Sequence, residues 1–264
     1  MPGNIKGKSM ELRFGIDENI RVIVVKDPAN IGMLAADIVE PVIRLASTEG
    51  VTICFATGSS PFPLYKELVR RHREKNLSFE KVSAFLLDEY YDLPVNHPQS
   101  FRKYMQENLY NHVDINPKNI HFFEGPAEDH MRICYEYERK IREAGGIDMM
   151  ILGVGSNGHI AFNEPGTFFD SRTRFIRLSE STRRSNIKFF GSLEKVPHFA
   201  LSIGVANIME ARRIILVAVG PSKAEAIRRA LKGPVDPEIP ASYLQKFEGD
   251  CVLVLDEDAA SKII

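Results

Sequence analysis

The sequence predicts an α/β fold, a mostly parallel sheet with helices on both faces. Short β-branched runs alternate with longer amphipathic stretches along most of the 264 residues. The runs are apolar throughout, without in/out alternation, as expected of strands buried on both faces. That alternation implies parallel strands joined by right-handed helical crossovers.

Arg21–Val25 (RVIVV) opens the series as a strand. Ala29–Ala46 follows with helical spacing, with Ile31, Leu34, Ala35, Ile38, Val42 and Leu45 on one side. Val51–Ala56 is the second strand, Pro61–Arg73 the second helix and Val82–Leu87 the third strand. Helices are expected near Ser100–Tyr110 and Glu128–Ala144, and strands at Asp148–Leu152 and Arg213–Val219. A helix over Ser222–Leu231 and a strand over Cys251–Leu255 complete the pattern. The architecture is Rossmann-like. No linker, repeat or low-complexity tract divides the chain, so residues 1–264 read as one domain, with 1–15 expected to be flexible. Ligands in such sheets bind beyond the carboxyl ends of the strands, which directs attention to the loops after Ala56, Leu87, Leu152 and Val219.

Composition narrows the function. With 34 basic and 35 acidic residues the net charge is -1, so no global field recruits a nucleic acid, and an anion must be held by a few placed groups. Three scattered cysteines, Cys54, Cys134 and Cys251, argue against a disulfide framework and for a reducing compartment. Met1 to Gly15 shows no apolar leader segment, and the longest apolar stretch, Ile214 to Val219, is too short to span a bilayer. A cytoplasmic protein with no membrane partner is expected. The histidines lack metal-ligand spacing, so no metal is expected.

Four segments carry chemistry. Ala56–Pro61 (ATGSSP) joins a strand to a helix, with Ser60 placed as N-cap and Pro61 at the first helical position. Gly58 admits a close ligand, and the N–H groups of Gly58, Ser59 and Ser60 suit a phosphate, although an ordinary capped turn would read the same way. In Gly220–Glu225 (GPSKAE), Ser222 and Glu225 fit a capping box, and Lys223 opposes the helix dipole unless an anion binds there. In LDEYYDLP an apolar strand ends on Asp88 and Glu89, where desolvation would make Asp88 a proton shuttle near neutral pH. Gly153–Gly166 (GVGSNGHIAFNEPG) can wrap a small ligand, and His159, between Asn157 and Glu164, has the setting of an oriented acid/base.

Taken together, LDEYYDLP, GVGSNGHIAFNEPG and the following Ser171-Arg172-Thr173-Arg174 strongly resemble the glucosamine-6-phosphate deaminase family, from about Val22 to Leu255. The resemblance implies an enzyme that converts glucosamine 6-phosphate and water to fructose 6-phosphate and ammonia, in aminosugar catabolism. Asp88 would move the proton between C2 and C1, His159 would open the pyranose ring, and Glu164 would hold the histidine. Asn157 stands where many members have aspartate, which should leave the imidazolium less favoured. The phosphate would lie on the Gly58–Ser60 turn with Lys223, and Lys188 matches a phosphate-binding arginine of some members; Gly153 lines the same site. No cofactor is implied, and a homo-oligomer is an open expectation. Related readings are a galactosamine-6-phosphate deaminase, a 6-phosphogluconolactonase-like hydrolase and a non-catalytic sugar-phosphate sensor. Some members are activated by N-acetylglucosamine 6-phosphate through serines and basic residues. Here Thr167, Phe168 and Ile176 replace three of them, Arg174 remains, and the chain stops at Ile264, so little activation is expected.

Overall fold

The computed structural model describes residues 9–14, 19–91, 93–94, 96–124 and 129–264. Its centre is an eight-stranded sheet in the order β1-β2-β11-β10-β7-β3-β4-β6. The strands are β1 (Ser9–Phe14), β2 (Ile20–Val25), β3 (Val51–Phe55), β4 (Val82–Leu86), β6 (Ile120–His121), β7 (Met149–Leu152), β10 (Arg213–Ala218) and β11 (Asp250–Asp256). All pairs are parallel except β1 with β2. The six predicted strands are therefore present and lie side by side. Their interior positions, such as Ile53, Phe85, Ile151, Ile215 and Leu253, are excluded from water.

The expectation of flexibility over residues 1–15 is corrected in part. Ser9–Phe14 hydrogen-bonds along β2, from Ser9 opposite Val25 to Phe14 opposite Ile20. An alternating pattern of half-buried and exposed residues marks this strand as an edge. Residues 1–8 and 15 lie outside the described residues.

The predicted helices appear as α1 (Ile31–Glu49), α2 (Phe62–Lys75), α3 (Phe101–Asn108), α4 (His130–Glu143) and α7 (Ala224–Lys232). Two caps differ from expectation. Helix α2 starts one residue later, on Pro61 as N-cap, and the Ser60 side chain makes no cap bond. A short 3-10 turn (Pro221–Lys223) precedes α7, so Ser222 and Glu225 form no capping box. Glu225 pairs with Arg228 and Lys262 instead.

A second, three-stranded sheet was not foreseen. It is antiparallel, in the order β5-β9-β8, from β5 (Asp88–Tyr90), β8 (Arg174–Arg177) and β9 (Phe199–Ser202). Helix α5 (Glu180–Phe190) lies between β8 and β9 in the chain. Short α6 (Val205–Met209) and α8 (Glu257–Ala260) follow β9 and β11.

The strand order reverses between β3 and β7. From β3 the chain steps outward to β4 and β6, then returns to β7 and steps the other way to β10 and β11. The loops leaving β3 and β7 part at this point and open a crevice. The carboxyl end of β4 is fixed beside it. Leu87 N–H donates to Phe55 O at 3.1 Å, and Ile203 N–H donates to Leu87 O at 2.9 Å. One step earlier, the buried Tyr137 hydroxyl of α4 donates to Leu86 O at 2.8 Å and accepts from Leu86 N–H at 2.7 Å.

Tyr137→Phe removes a hydrogen-bond partner from two buried backbone groups. It is expected to cost about 1–3 kcal/mol. Urea unfolding measures this as a lower midpoint at unchanged slope; an unchanged midpoint would show that the strand end does not need the hydroxyl.

Candidate active site

A cavity of about 600 Å³ opens over the carboxyl ends of β3, β4, β7 and β10. Its walls include Gly58, Ser59, Ser60, Asp88, Gly153, His159, Lys188 and Lys223. The four loops singled out in the sequence therefore meet in one place. Asn157 and Glu164 stand behind His159, in contact with each other.

The turn after β3 passes through Gly58 at φ +104°, a conformation that a side chain resists. A Cβ there would meet nothing within 4 Å, so the glycine serves the backbone conformation and the open approach. Across the cavity stand Lys188, from α5, and Lys223, from the turn after β10. Among the described residues neither is paired with a carboxylate. Burial lowers the proton affinity of Lys223, and the like charge of Lys188 lowers it further. Two cations held together without a counter-ion make a receptor for an anion. The Lys223 turn is itself anchored. Gly220 N–H donates to both carboxylate oxygens of Asp256, at 3.0 and 2.9 Å, and the same carboxylate caps α8 at Ala259 N–H.

Asp88 begins β5, opposite Ser202 of β9, and is 7% exposed. Burial, and then the neighbouring Glu89 carboxylate, push its carboxyl well above the usual range. A carboxylate of that kind takes a proton more readily than one in water.

His159 is held by its backbone and by shape. Gly155 N–H donates to His159 O at 2.9 Å, and His159 N–H donates to Asn157 Oδ1 at 3.3 Å. A Cβ on Gly155 would fall 2.2 Å from the imidazole Cε1, so the ring rests directly on that glycine. Glu164 Oε2 lies 3.8 Å from His159 Nδ1, beyond direct hydrogen bonding. The expected Glu164–His159 hold is therefore electrostatic. The carboxylate is steered by Asn157, whose Nδ2 donates to Oε2 at 3.1 Å. Burial lowers the imidazole's proton affinity, Glu164 opposes this, and Lys223 adds to it; the net direction is down. His159 Nδ1 and Glu164 Oε1 are buried with no partner among the described residues.

Between these two residues the backbone is strained. Ala161 sits at φ 51°, unusual for a residue with a side chain. The bend is pinned by the buried Asn163, whose Nδ2 donates to Ile160 O and Ile203 O at 2.9 and 3.0 Å. Asn163 Oδ1 accepts from Arg174 at 2.8 Å, and Arg174 also reaches Thr167 Oγ1 at 3.3 Å.

Apart from Lys188, sequence reasoning missed the walls contributed by α3 and α5. Tyr104 of α3 donates its hydroxyl to Gly58 O at 2.7 Å. Thr182, Ser185 and Asn186 of α5 also line the cavity, and Thr182 Oγ1 is buried with no partner among the described residues. The i, i+3, i+4 spacing of this polar set was the available signal, but it is equally that of a solvated helix face.

Comparison with known proteins gives relatives in both sequence and fold. The glucosamine-6-phosphate deaminase of Clostridium novyi (strain NT) is 43% identical over 244 residues, spanning 92% of this chain and 100% of that protein. Glucosamine-6-phosphate deaminase 1 of Giardia intestinalis is 44% identical over 233 residues, spanning 85% of this chain and 87% of that one. The solved structure of a monomeric glucosamine-6-phosphate deaminase superposes with a TM-score of 0.87 at 36% identity, covering 91% of this chain and 99% of that one. A 6-phosphogluconolactonase from Trypanosoma brucei, at 22% identity and a TM-score of 0.74 over 92% of this chain and 98% of that one, shares the fold. The family model for glucosamine-6-phosphate isomerases and 6-phosphogluconolactonases matches residues 28–253, and the chain belongs to that family.

Proposed function

We propose that this protein is an isomerising deaminase that converts glucosamine 6-phosphate and water to fructose 6-phosphate and ammonia. The observation that carries the reading is one cavity that joins a buried carboxylate, a histidine of lowered proton affinity and two lysines with no carboxylate partner among the described residues. The deaminase relatives supply the substrate.

The phosphate rests on the Gly58–Ser60 N–H groups, between Lys188 and Lys223. His159 takes the proton from the anomeric hydroxyl and returns it to the ring oxygen, opening the ring. Its lowered proton affinity leaves the imidazole able to accept that proton at neutral pH. Asp88 then removes the C2 proton of the open-chain aldehyde, and the resulting enolamine is protonated at C1. Water adds to the C2 iminium and ammonia leaves. Asn157 and Glu164 hold the histidine's surroundings in register.

The solved deaminase structure that superposes at a TM-score of 0.87 is monomeric, which supports a site complete within one chain. Among the described residues no helix is long and apolar enough to cross a membrane, and the three cysteines are free and buried. Both fit the proposal of a cytoplasmic enzyme on a small phosphosugar. Galactosamine 6-phosphate differs at C4 alone, and parallel assays of ammonia release from the two sugars separate these substrates.

Asp88→Asn is expected to lower kcat about 10²–10⁴-fold with little change in substrate binding. In the wild type, kcat/KM should rise with pH as Asp88 loses its proton, on a limb above the ordinary aspartate value of about 4. The folded state binds this proton more tightly than the unfolded state, so ionisation of Asp88 weakens the fold as pH rises. Asp88→Asn should therefore melt higher than wild type at neutral pH; C2 proton exchange at the wild-type rate would show that another group is the base.

Lys223→Ala should weaken phosphosugar binding by about 1.5–3 kcal/mol, the scale of a charged hydrogen bond. Residual turnover of unphosphorylated glucosamine should barely change. Equal losses on both substrates would place Lys223 away from the phosphate.

Arg174 is spent on Asn163 and Thr167, and Phe168 is 73% exposed where an effector-binding serine is expected. Rate against substrate concentration should be hyperbolic and unmoved by N-acetylglucosamine 6-phosphate. A sigmoidal curve that the acetylated sugar straightens would show a working effector site.

A further inference from the structure

Glu89 adjoins the base and has no role in the steps above, yet its carboxylate is fully engaged. Oε1 accepts from Tyr90 N–H at 2.9 Å and Phe101 N–H at 3.0 Å. Oε2 accepts from Arg102 N–H at 2.9 Å and from the Ser100 hydroxyl at 3.3 Å. Ser100 is the N-cap of α3, and its Oγ accepts from Lys103 N–H at 3.1 Å. Glu89 and Ser100 thus satisfy the first three N–H groups of the helix between them. The positive end of the helix dipole offsets the cost of a second carboxylate beside Asp88.

Helix α3 continues to Tyr104, whose hydroxyl holds Gly58 O at 2.7 Å. Gly58 belongs to the turn assigned to the phosphate. The reacting end of the substrate and its phosphate end are therefore connected through Glu89, α3 and Tyr104. Pro98, Gln99, Ser100 and Phe101, at the start of that helix, also form cavity wall.

We propose that Glu89 is a positioning residue of the deamination, clamping α3 to β5 so that Asp88 and the Gly58 turn keep the separation the substrate requires. The proposal rests on the assignments of Asp88 and the phosphate turn made above. An open-chain hexose phosphate is flexible, and fixing both ends removes that freedom before the proton moves. Glu89 also acts on the base by charge. Cys54 of β3, Tyr90 of β5 and Tyr137 of α4 face Asp88 as well, and burial pushes the proton affinity of all three up, so they stay neutral. His159, Lys188 and Lys223 stand in the same cavity. Glu89 is the charged neighbour that strengthens the hold of Asp88 on its proton.

The test compares wild type with Glu89→Gln, Glu89→Asp, Ser100→Ala and Tyr104→Phe, reading kcat, KM for glucosamine 6-phosphate, the pH profile and the melting temperature. Glu89→Gln should lower kcat about 10- to 100-fold, the scale of a small misplacement of reacting groups. It should also move the acid limb of kcat/KM to lower pH, because a neutral amide no longer opposes ionisation of Asp88. Glu89→Asp keeps the charge and should leave the limb nearer its wild-type position. Ser100→Ala removes a cap bond but not the charge, so it should lower the melting temperature and leave the limb in place. Tyr104→Phe should raise KM about 2- to 10-fold, the scale of one hydrogen bond, without moving the limb.

If Glu89→Gln lowers the melting temperature alone, with kcat and the acid limb unchanged, Glu89 is a helix cap and the proposal is overturned. If that variant does not fold, Tyr104→Phe decides: an unchanged KM breaks the connection to the phosphate turn. An active Asp88→Asn enzyme would overturn the base assignment instead, and it is read in a separate protein.

Discussion

A largely buried carboxylate just beyond the end of β4 is the constraint around which the rest of the site is arranged. Asp88 follows Leu86 and Leu87, which are 1% and 2% exposed, and a charge placed there is disfavoured unless it has work to do. The chain holds this position from several sides. The end of β4 is tied to Phe55 of β3, to Ile203 beyond β9 and to Tyr137 of α4. These attachments are all to backbone groups, so they fix where Asp88 stands without neutralising it. The carboxylate keeps the raised proton affinity that burial confers, which suits the proton transfer proposed for it.

The histidine loop meets a different difficulty, because it must place an imidazole against a backbone with no room for error. Gly155 provides the surface and Asn157 the steering of Glu164, while Ala161 takes a conformation that costs roughly 1 kcal/mol or more. That strain persists because Asn163, fully buried, is hydrogen-bonded to two carbonyls and backed by Arg174. Arg174 matches a basic residue associated with effector binding in some family members. In this chain its guanidinium is directed inward, to the loop that joins the histidine to its carboxylate. A residue used as a brace in this way stiffens the site and has less freedom to answer a ligand elsewhere.

The central sheet was legible because its strands are buried on both faces, which writes unbroken apolar runs such as VTICF and RIILVA into the sequence. The second sheet was not, because its strands are three or four residues long and mix charged and aromatic residues with apolar ones, as DEY, RFIR and FALS. The string DEY reads as a strand-end turn until Ser202, more than a hundred residues later, is seen opposite Asp88. Lys188 was identified through resemblance alone, since ESTRRSNIKFF shows no clean apolar stripe; its helix gives only Ile187 and Phe190 to a small apolar cluster and turns Thr182, Ser185 and Asn186 to the cavity. The anchor on Gly220 was invisible for the same reason of distance: its partner, Asp256, lies at the far end of the last strand. The two misplaced caps, at Ser60 and Ser222, show where local chemistry gives way. In both segments a proline follows the glycine turn and shifts the start of the α-helix, so the serine falls outside the N-cap position.

The absence of those two side-chain caps bears on anion binding. A serine that caps its own helix occupies the N–H groups that a phosphate would use, and the ligand must then displace it. At α2 the Ser60 side chain leaves them open, and at the turn before α7 the lysine itself occupies the N-cap position with no side-chain bond. Among the described residues each therefore keeps donors without a protein partner, one as the amides of the Gly58–Ser60 turn and one as the Lys223 ammonium group. They come from the two sides of the reversal in strand order, after β3 and after β10, so neither could surround a phosphate alone. With a net charge of -1 on the whole chain, no long-range field assists them. On the proposed reading, affinity for the phosphate arises within the crevice, where Lys223 is partly buried and feels the like charge of Lys188, a repulsion that a doubly charged phosphate would relieve.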